Sequence, residues 1–497
     1  MMGMLTRKEF LRQSTALAVA GTLPGGLVAG TPAKRPNILF VIVDEWRAQA
    51  FGALGDRNAH TPALDRFRRQ SVSFDNAVAC LPVCSQSRAS FLTGQYPLTN
   101  GVYITDVPLK PSGETLAEAL VKAGYQTGYI GKWHLYGSPK GRYERRLSYI
   151  PPESRFGFQY WKALECGHDY NKSRYYEGDD PTPRYWPGYD AIAQTQDAVG
   201  YIQRASQTDQ PFFLTLSLGP PHFPYTAPER YKAMYRDRPL DFRPNVPEAL
   251  HGQAAEEMRG YYAAIAALDD CFATLMAGLE ASGVADDTIV LFTADHGDML
   301  WSQGLQHKHV PWDEAIRVPF MIRYPRQSRG RGRSVPAPLN SPDVMPTLLG
   351  LAGLPAPSGV QGLDYSPLIR REPMAAMPRS AYLAIPVSFA DARAHGFAEY
   401  RGVRTERYTY IRSIKGPWLL YDNRKDPYQK HNLVDQPAMA EVQKACEAQL
   451  TLWLDRLGDQ FLPGDAYLRR DGLGHYLEVQ GGIKPVVSPW GDWRSTM

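Results

Sequence analysis

Several side chains in this sequence have the types and spacing to do chemistry together. Asp44-Glu45 and Asp295-His296 each close a continuous apolar run. A single acid in such a place is most often a strand-end cap. Two pairs favour an oxygen-rich, anionic cage for a hard cation. Calcium or magnesium suits Asp44, Glu45, Asp295 and the ring nitrogen or neighbouring oxygen of His296 better than zinc, which favours sulfur and nitrogen. Cys84 precedes a stretch, residues 87–93, that reads as helical and stops at Gly94. The unpaired N–H groups and positive dipole end of that helix favour an anion. Arg88, one turn on, points back at the same place and can donate charge-assisted hydrogen bonds there. Lys132 and Lys308 add fixed positive charge, and His134 or His222 can move a proton. Taken singly, these lysines and histidines read equally well as solvated or structural residues.

The elements that must carry these residues are four strands. Asn37–Val43 and Thr288–Ala294 are apolar, β-branched runs of the kind buried on both faces. Tyr125–Ile130 stops at Gly131-Lys132-Trp133-His134, and Phe212–Leu218 runs into Gly219-Pro220-Pro221-His222. In open α/β sheets ligands bind outside the carboxyl ends of the strands, and there the acids, histidines and lysines stand. Helical stretches lie between, over Pro62–Gln70, Glu114–Ala123, Ala191–Ser206 and Glu256–Ser282. The alternation predicts an α/β catalytic domain over residues 37–370. Residues 371–497 form a C-terminal subdomain: Tyr400–Thr405, Tyr408–Arg412 and Trp418–Asp422 alternate like antiparallel strands, and Met439–Leu457 reads as a helix.

The chain has 497 residues and a formal net charge of +4, too small an excess for a polyanion binder, so nucleic acid is not expected as a partner. Five cysteines are too few for a disulfide scaffold. Cys166, Cys271 and Cys446 lack metal spacing and read as packing residues. Residues 1–36 have the order of an export signal: a basic start, a weakly apolar run from Ala16 to Val28, then small residues. The pair Arg7-Lys8 before Phe10-Leu11 resembles a twin-arginine signal, so the expected destination is the periplasm. No later stretch reaches the roughly 18 apolar residues of a membrane span. Residues 156–190 are dense in Tyr, Trp and Phe, which suits a platform for sugar rings as well as a loop packed on the core.

The segment Asn76–Gly101, NAVACLPVCSQSRASFLTGQYPLTNG, closely resembles the sulfatase signature through Cys84-Ser85-Gln86-Ser87-Arg88 and Leu92-Thr93-Gly94. Val43-Asp44-Glu45, Thr61-Pro62-Ala63-Leu64-Asp65, Gly131-Lys132-Trp133-His134, Pro220-Pro221-His222, Ala294-Asp295-His296-Gly297 and Lys308 ahead of Arg317-Val318-Pro319 follow in the family's order. The resemblance implies an alkaline-phosphatase-like α/β fold, with a mixed, mostly parallel central sheet, flanking helices and a smaller antiparallel sheet plus helix. It implies conversion of Cys84 by a formylglycine-generating enzyme, and a calcium or magnesium ion held by Asp44, Glu45, Asp295, His296 and residue 84. It also implies a sulfate ester substrate, with a sulfated carbohydrate as the leading class. Arg88 would then hold the nucleophile, Lys132 and Lys308 would meet the sulfate, and His222 or Lys308 would serve the leaving group. His134 would take a proton from the nucleophile's second hydroxyl. Gln86 departs from the family's Pro or Ala, and Glu45 stands where many relatives carry Asp. Two other functions fit the same residues: a phosphodiester or phosphonate monoester hydrolase, and, with Cys84 unconverted, a non-catalytic binder of sulfated glycans.

Overall fold

The strand Asn37–Asp44 (β1) is buried at every position, which is why its sequence is apolar throughout rather than alternating. A computed structural model describes residues 34–328, 332–374 and 377–480. The expected export signal therefore lies outside the described residues, save for its last three positions, as does the end of the tail. Around β1 stand Val72–Val78 (β2), Gln126–Lys132 (β3), Tyr160–Leu164 (β4), Arg174–Glu177 (β5), Asp180–Tyr185 (β6), Phe212–Pro221 (β7), Thr288–Ala294 (β8), Phe320–Arg323 (β9) and Arg333–Asn340 (β10). They make one sheet in the order β10-β2-β9-β8-β1-β7-β3-β4-β5-β6.

The four central strands β8, β1, β7 and β3 are mutually parallel. Antiparallel pairings occur only toward the flanks, where β9 joins β2 to β8 and where β5 pairs with β4 and β6. Parallel neighbours end on the same side, so the residues that close β8, β1, β7 and β3 meet. Register makes the meeting close. Val43 is opposite both Ala294 and Leu218, and Gly131 is opposite Ser217. Between Val43 and Asp44 the pairing slips, so that Asp44 faces Pro221, a bulge of the kind that re-aims a side chain.

Helices cover both faces. Pro62–Gln70 (α1), Asp190–Ala205 (α4) and His251–Ala281 (α5) lie on one side, with Phe272 edge-on to both Phe67 and Phe292. On the other side Phe91, from the helix Cys84–Thr93 (α2), is edge-on to Phe40 of β1. The short helix Leu116–Lys122 (α3) opens with a capping box between Thr115 and Glu118. Helix α5 is long and apolar enough to pass for a membrane span. Its apolar side chains Ile265, Leu268, Phe272, Leu275 and Leu279 are all buried in the core.

Ser380–Ile385 (β11), Tyr400–Thr405 (β12), Tyr408–Ser413 (β13) and Gly416–Asp422 (β14) form a four-stranded antiparallel sheet with Ala440–Leu457 (α6) against it. Strand β11 was not anticipated, because Ser380–Ile385 carries no alternation. The structure thus has the expected mixed, mostly parallel sheet and smaller antiparallel sheet. A buried ion pair at 2.8 Å ties Arg404 of the second sheet to Asp313, in the segment between β8 and β9.

Candidate active site

Every residue expected at the site converges on the carboxyl edge of β8, β1, β7 and β3. Asp44 is the last residue of β1 and Lys132 the last of β3. Asp295 and His296 follow β8, and His222 follows β7. Cys84 enters from outside the sheet as the first residue of α2, which begins three residues earlier than expected. The preceding Val83 is extended and offers no side-chain cap, so the first-turn N–H groups are left for another acceptor.

Asp44, Cys84, Asp295 and His296 each place one donor atom within 4.8 Å of all the others. The Cys84 sulfur lies 3.5 Å from Asp44 Oδ1 and 3.2 Å from His296 Nε2. The Lys308 ammonium donates to the same sulfur at 3.5 Å. His296 Nδ1 lies 2.9 Å from the Gly297 carbonyl. A carbonyl only accepts, so Nδ1 carries the hydrogen and Nε2 faces the cluster as a donor of electrons. Glu45 stands apart from this group. Its carboxylate lies 3.2 Å from His222 Nε2 and 3.3 Å from Lys308 Nζ, and neither oxygen accepts a well-formed hydrogen bond.

Arg88 lies deeper than its sequence position suggests. Its Nε donates to Asp295 at 2.9 Å and its Nη2 to Asp44 at 3.4 Å, while Nη1 reaches Ser217 Oγ and the Lys132 carbonyl. It therefore bridges the two acids beneath residue 84. Lys132 Nζ completes the set at 2.5 Å from Asp44 Oδ2. Three buried carboxylates, Asp44, Glu45 and Asp295, face three buried cations, Arg88, Lys132 and Lys308. Burial raises Asp295 and Glu45 above the usual carboxylate range, and neighbouring Asp44 adds to the rise. Asp44 is held below that range by Lys132 and His222, against burial and the Cys84 sulfur. Two carboxylates and a histidine nitrogen converging within 4.8 Å, with the unpartnered oxygens of Glu45 beside them, make a donor set suited to a divalent cation. The residues fit such an ion.

The histidines expected to move protons stand near residue 84. The ring of His134 is held by Asp106, with Nε2 2.8 Å from Oδ1. His222 stacks on His168 with centroids 4.3 Å apart, and burial together with Lys308 keeps its pKa well below the ordinary histidine value. His309 Nδ1 sits 3.0 Å from Asp391, in the short helix Ala390–Ala394 that follows β11. His307 packs edge-on against the exposed Phe223 at the rim.

Cys166 is buried as expected of a packing residue, and its sulfur lies 3.9 Å from His168 Nε2. Asp106, Glu165, His168 and Ser217 belong to the site's surroundings and were missed. None lies in a recognisable motif. The aromatic segment is mainly core, since Trp161, Tyr170, Tyr176, Trp186 and Tyr189 are buried and only Tyr185 is exposed. Cys80 and Cys84 are both free thiols.

Comparison with known proteins agrees with this geometry. The sulfatase family model matches residues 36–354, and a model described as N-sulphoglucosamine sulphohydrolase, C-terminal, matches residues 302–455. An ulvan-active sulfatase of Formosa agariphila is 41% identical over 92% of this chain and 87% of its own. An endo-4-O-sulfatase of Bacteroides thetaiotaomicron is 31% identical over 81% of this chain and 88% of its own. A Bacteroides thetaiotaomicron structure determined for the metabolism of multiple glycosaminoglycans superposes with a TM-score of 0.78 at 28% identity, covering 88% of this chain and 99% of that one. The chain belongs to the sulfatase family of sulfuric ester hydrolases.

Proposed function

We propose that the protein releases inorganic sulfate from a sulfated carbohydrate, using formylglycine made from Cys84 and a hard divalent cation, calcium or magnesium. The observation that carries this reading is the position of residue 84, at an uncapped helix start, within 3.5 Å of Asp44, His296 and Lys308. Formylglycine would supply a hydrated aldehyde, a hydroxyl nucleophile that can be regenerated after each turnover. The cation, held by Asp44, Asp295, His296 and residue 84 with Glu45 beside them, would supply Lewis-acid charge toward the sulfate oxygens.

The chain's own residues do the rest. Lys132 and Lys308 present fixed positive charge where negative charge grows on the sulfate oxygens, and being buried they need no reorganisation to do so. Arg88 bridges Asp44 and Asp295 and holds both in place. His222 and Lys308 face Glu45 on the side where a leaving alcohol would exit and be protonated. His134, two residues past the end of β3 and with Nδ1 unpartnered, would take a proton from residue 84.

Cys84 is 4% exposed and Gln86 fully buried, so a formylglycine-generating enzyme must act before the fold closes. In the folded chain the Gln86 side chain accepts from Ser85 Oγ at 2.9 Å. The carbohydrate class is supported by the ulvan-active and endo-4-O-sulfatase relatives. We also infer export through the N-terminal leader, which N-terminal sequencing of protein from the periplasm would test.

The deciding experiment is mass spectrometry of the tryptic peptide containing Cys84, paired with a sulfate-release assay on sulfated polysaccharides and aryl sulfates. The expected result is an aldehyde at residue 84 and sulfate release from a polysaccharide. Full activity with an unmodified thiol would overturn the nucleophile. Good turnover of aryl sulfates with no polysaccharide cleaved would overturn the substrate class.

A further inference from the structure

We propose that Asp106 is a positioning residue for catalysis: it fixes the His134 ring so that Nε2 keeps its hydrogen and Nδ1 is the atom that exchanges a proton with residue 84. The inference rests on the reading of residue 84 above and adds to it the group that sets the histidine's orientation and tautomer.

Asp106 is 1% exposed. Its carboxylate receives His134 Nε2 at 2.8 Å on Oδ1, with Arg146 Nε at 2.9 Å on Oδ2 and Arg146 Nη2 at 3.2 Å on Oδ1. A carboxylate clamped by a guanidinium stays ionised, and the His134 and Arg146 contacts hold Asp106 well below the usual range against burial. An ionised carboxylate only accepts hydrogen bonds. The hydrogen between the two residues therefore belongs to Nε2. The other ring nitrogen, Nδ1, is buried and has no hydrogen-bond partner, so it is the ring atom left for a proton from residue 84.

The backbone around the ring is built to hold this arrangement. Asp106 and His134 both adopt the left-handed region, with φ of 65° and 58°, a conformation that costs roughly 1–3 kcal/mol for such residues and persists only where surroundings enforce it. The enforcing contacts are dense. The His134 N–H donates to the Glu165 carbonyl at 2.7 Å, and the Glu165 carboxylate accepts from the N–H groups of Leu135, Tyr136 and Gly137. Ser138 N–H donates to the Asp106 carbonyl at 2.7 Å, and Leu109 N–H to the Leu135 carbonyl at 3.0 Å. Gly137 has φ of 64°, and a methyl group there would meet Pro108 Cα at 2.6 Å and Asp106 O at 2.7 Å. Tyr476, near the chain's end, donates to the Ser138 carbonyl at 3.0 Å. A space-filling histidine needs none of this.

The proton balance is simple. With the ring neutral, a proton leaving a hydroxyl on residue 84 passes to the Nδ1 lone pair, and the resulting imidazolium is stabilised by Asp106, which never takes the proton itself. Returning the proton to water restores the neutral ring with its hydrogen on Nε2.

The test uses the full-length protein with 15N-labelled histidine, and the His134 signals are assigned by their loss in His134→Gln. In the parent, on the alkaline side of the ring's own titration, Nε2 should carry a hydrogen-bonded proton and Nδ1 none. Asp106→Asn should abolish that Nε2–H signal and lower kcat by about 10²–10⁴-fold while KM stays within about threefold. A parent ring protonated on Nδ1 overturns the proposal, and so does a folded Asp106→Asn protein with kcat within about threefold of the parent. Should Asp106→Asn fail to fold, the parent spectrum alone decides. A parent with the Nε2–H signal but no sulfate release would overturn the reading of residue 84 and leave Asp106's role in holding the ring standing.

Discussion

The residue whose replacement best tests how the sheet serves the site carries no functional group. Gly131 precedes Lys132 in β3, has φ of 106°, and lies opposite Ser217 of β7. A methyl group on Gly131 would lie within the carbonyl group of Ser217, 2.9 Å from its carbon, and 3.1 Å from Gln194 Oε1. Backbone cannot rotate away as a side chain can, so β3 must move from β7 by roughly an ångström to restore ordinary contact. That movement acts on Lys132, whose Nζ sits 2.5 Å from Asp44 and whose carbonyl receives Arg88 at 2.8 Å and Ser217 at 2.7 Å. Misplacing a catalytic group by about 1 Å costs about 10²-fold in rate. Gly131→Ala should therefore lower kcat/KM for sulfate release by about 10²-fold or more, and lower stability by about 3 kcal/mol or more from clash and strain together. Gly124→Ala is the matched control: its φ is 88°, but nothing lies within 4 Å of the added methyl. It should cost only about 1–2 kcal/mol and leave kcat/KM unchanged. Steady-state kinetics and denaturant unfolding of both variants provide the comparison. Gly131→Ala with kcat/KM within about threefold of the parent would refute the coupling of strand register to Lys132.

Further outcomes follow from the same structure. Chelation should abolish sulfate release, with calcium or magnesium restoring it better than zinc, because Asp44 and Asp295, with Glu45 beside them, offer hard carboxylate oxygens; undiminished activity after exhaustive chelation would contradict this. Arg88→Met should destabilise the cation-free protein by about 3–5 kcal/mol, since it strips Asp44 and Asp295 of a buried partner. Added calcium should recover part of that loss in the unfolding midpoint. Far from the site, the Arg401 guanidinium and the Tyr467 hydroxyl overcome burial and hold Asp459 down, to about 2, below its ordinary 3.8. A lowered acid stabilises the fold fully above its unfolded value, so about 2 kcal/mol should be lost as pH falls from about 4 toward 2. Asp459→Asn should flatten that part of the stability curve.

Much of this protein was legible as a string. The four strands that carry the site were readable because a strand buried on both faces must be apolar throughout, and each stops where charged or polar residues begin. The convergence of Asp44, Cys84, Lys132, His134, His222, Asp295 and Lys308 was readable because parallel strands end on one side and the motif order matches a known family. Other strands were not. Strands β2, β4, β9, β10 and β11 are short or interrupted by polar residues, and their pairing is decided by neighbours far along the chain.

Tertiary structure alone decided which groups support the acting ones. Asp106 lies 28 residues from His134, inside Ile104-Thr105-Asp106-Val107, which has no motif. It meets the ring only because two left-handed turns and the Glu165 clamp fold two loops together. The aromatic segment could face sugar or core by composition, and the pairing of β4 with β3 buried most of it. The sequence by itself therefore determined the residues that do the chemistry, since their types are dictated by charge and nucleophilicity. Their orientation and protonation depend on contacts between distant segments, and those exist only once the chain has folded.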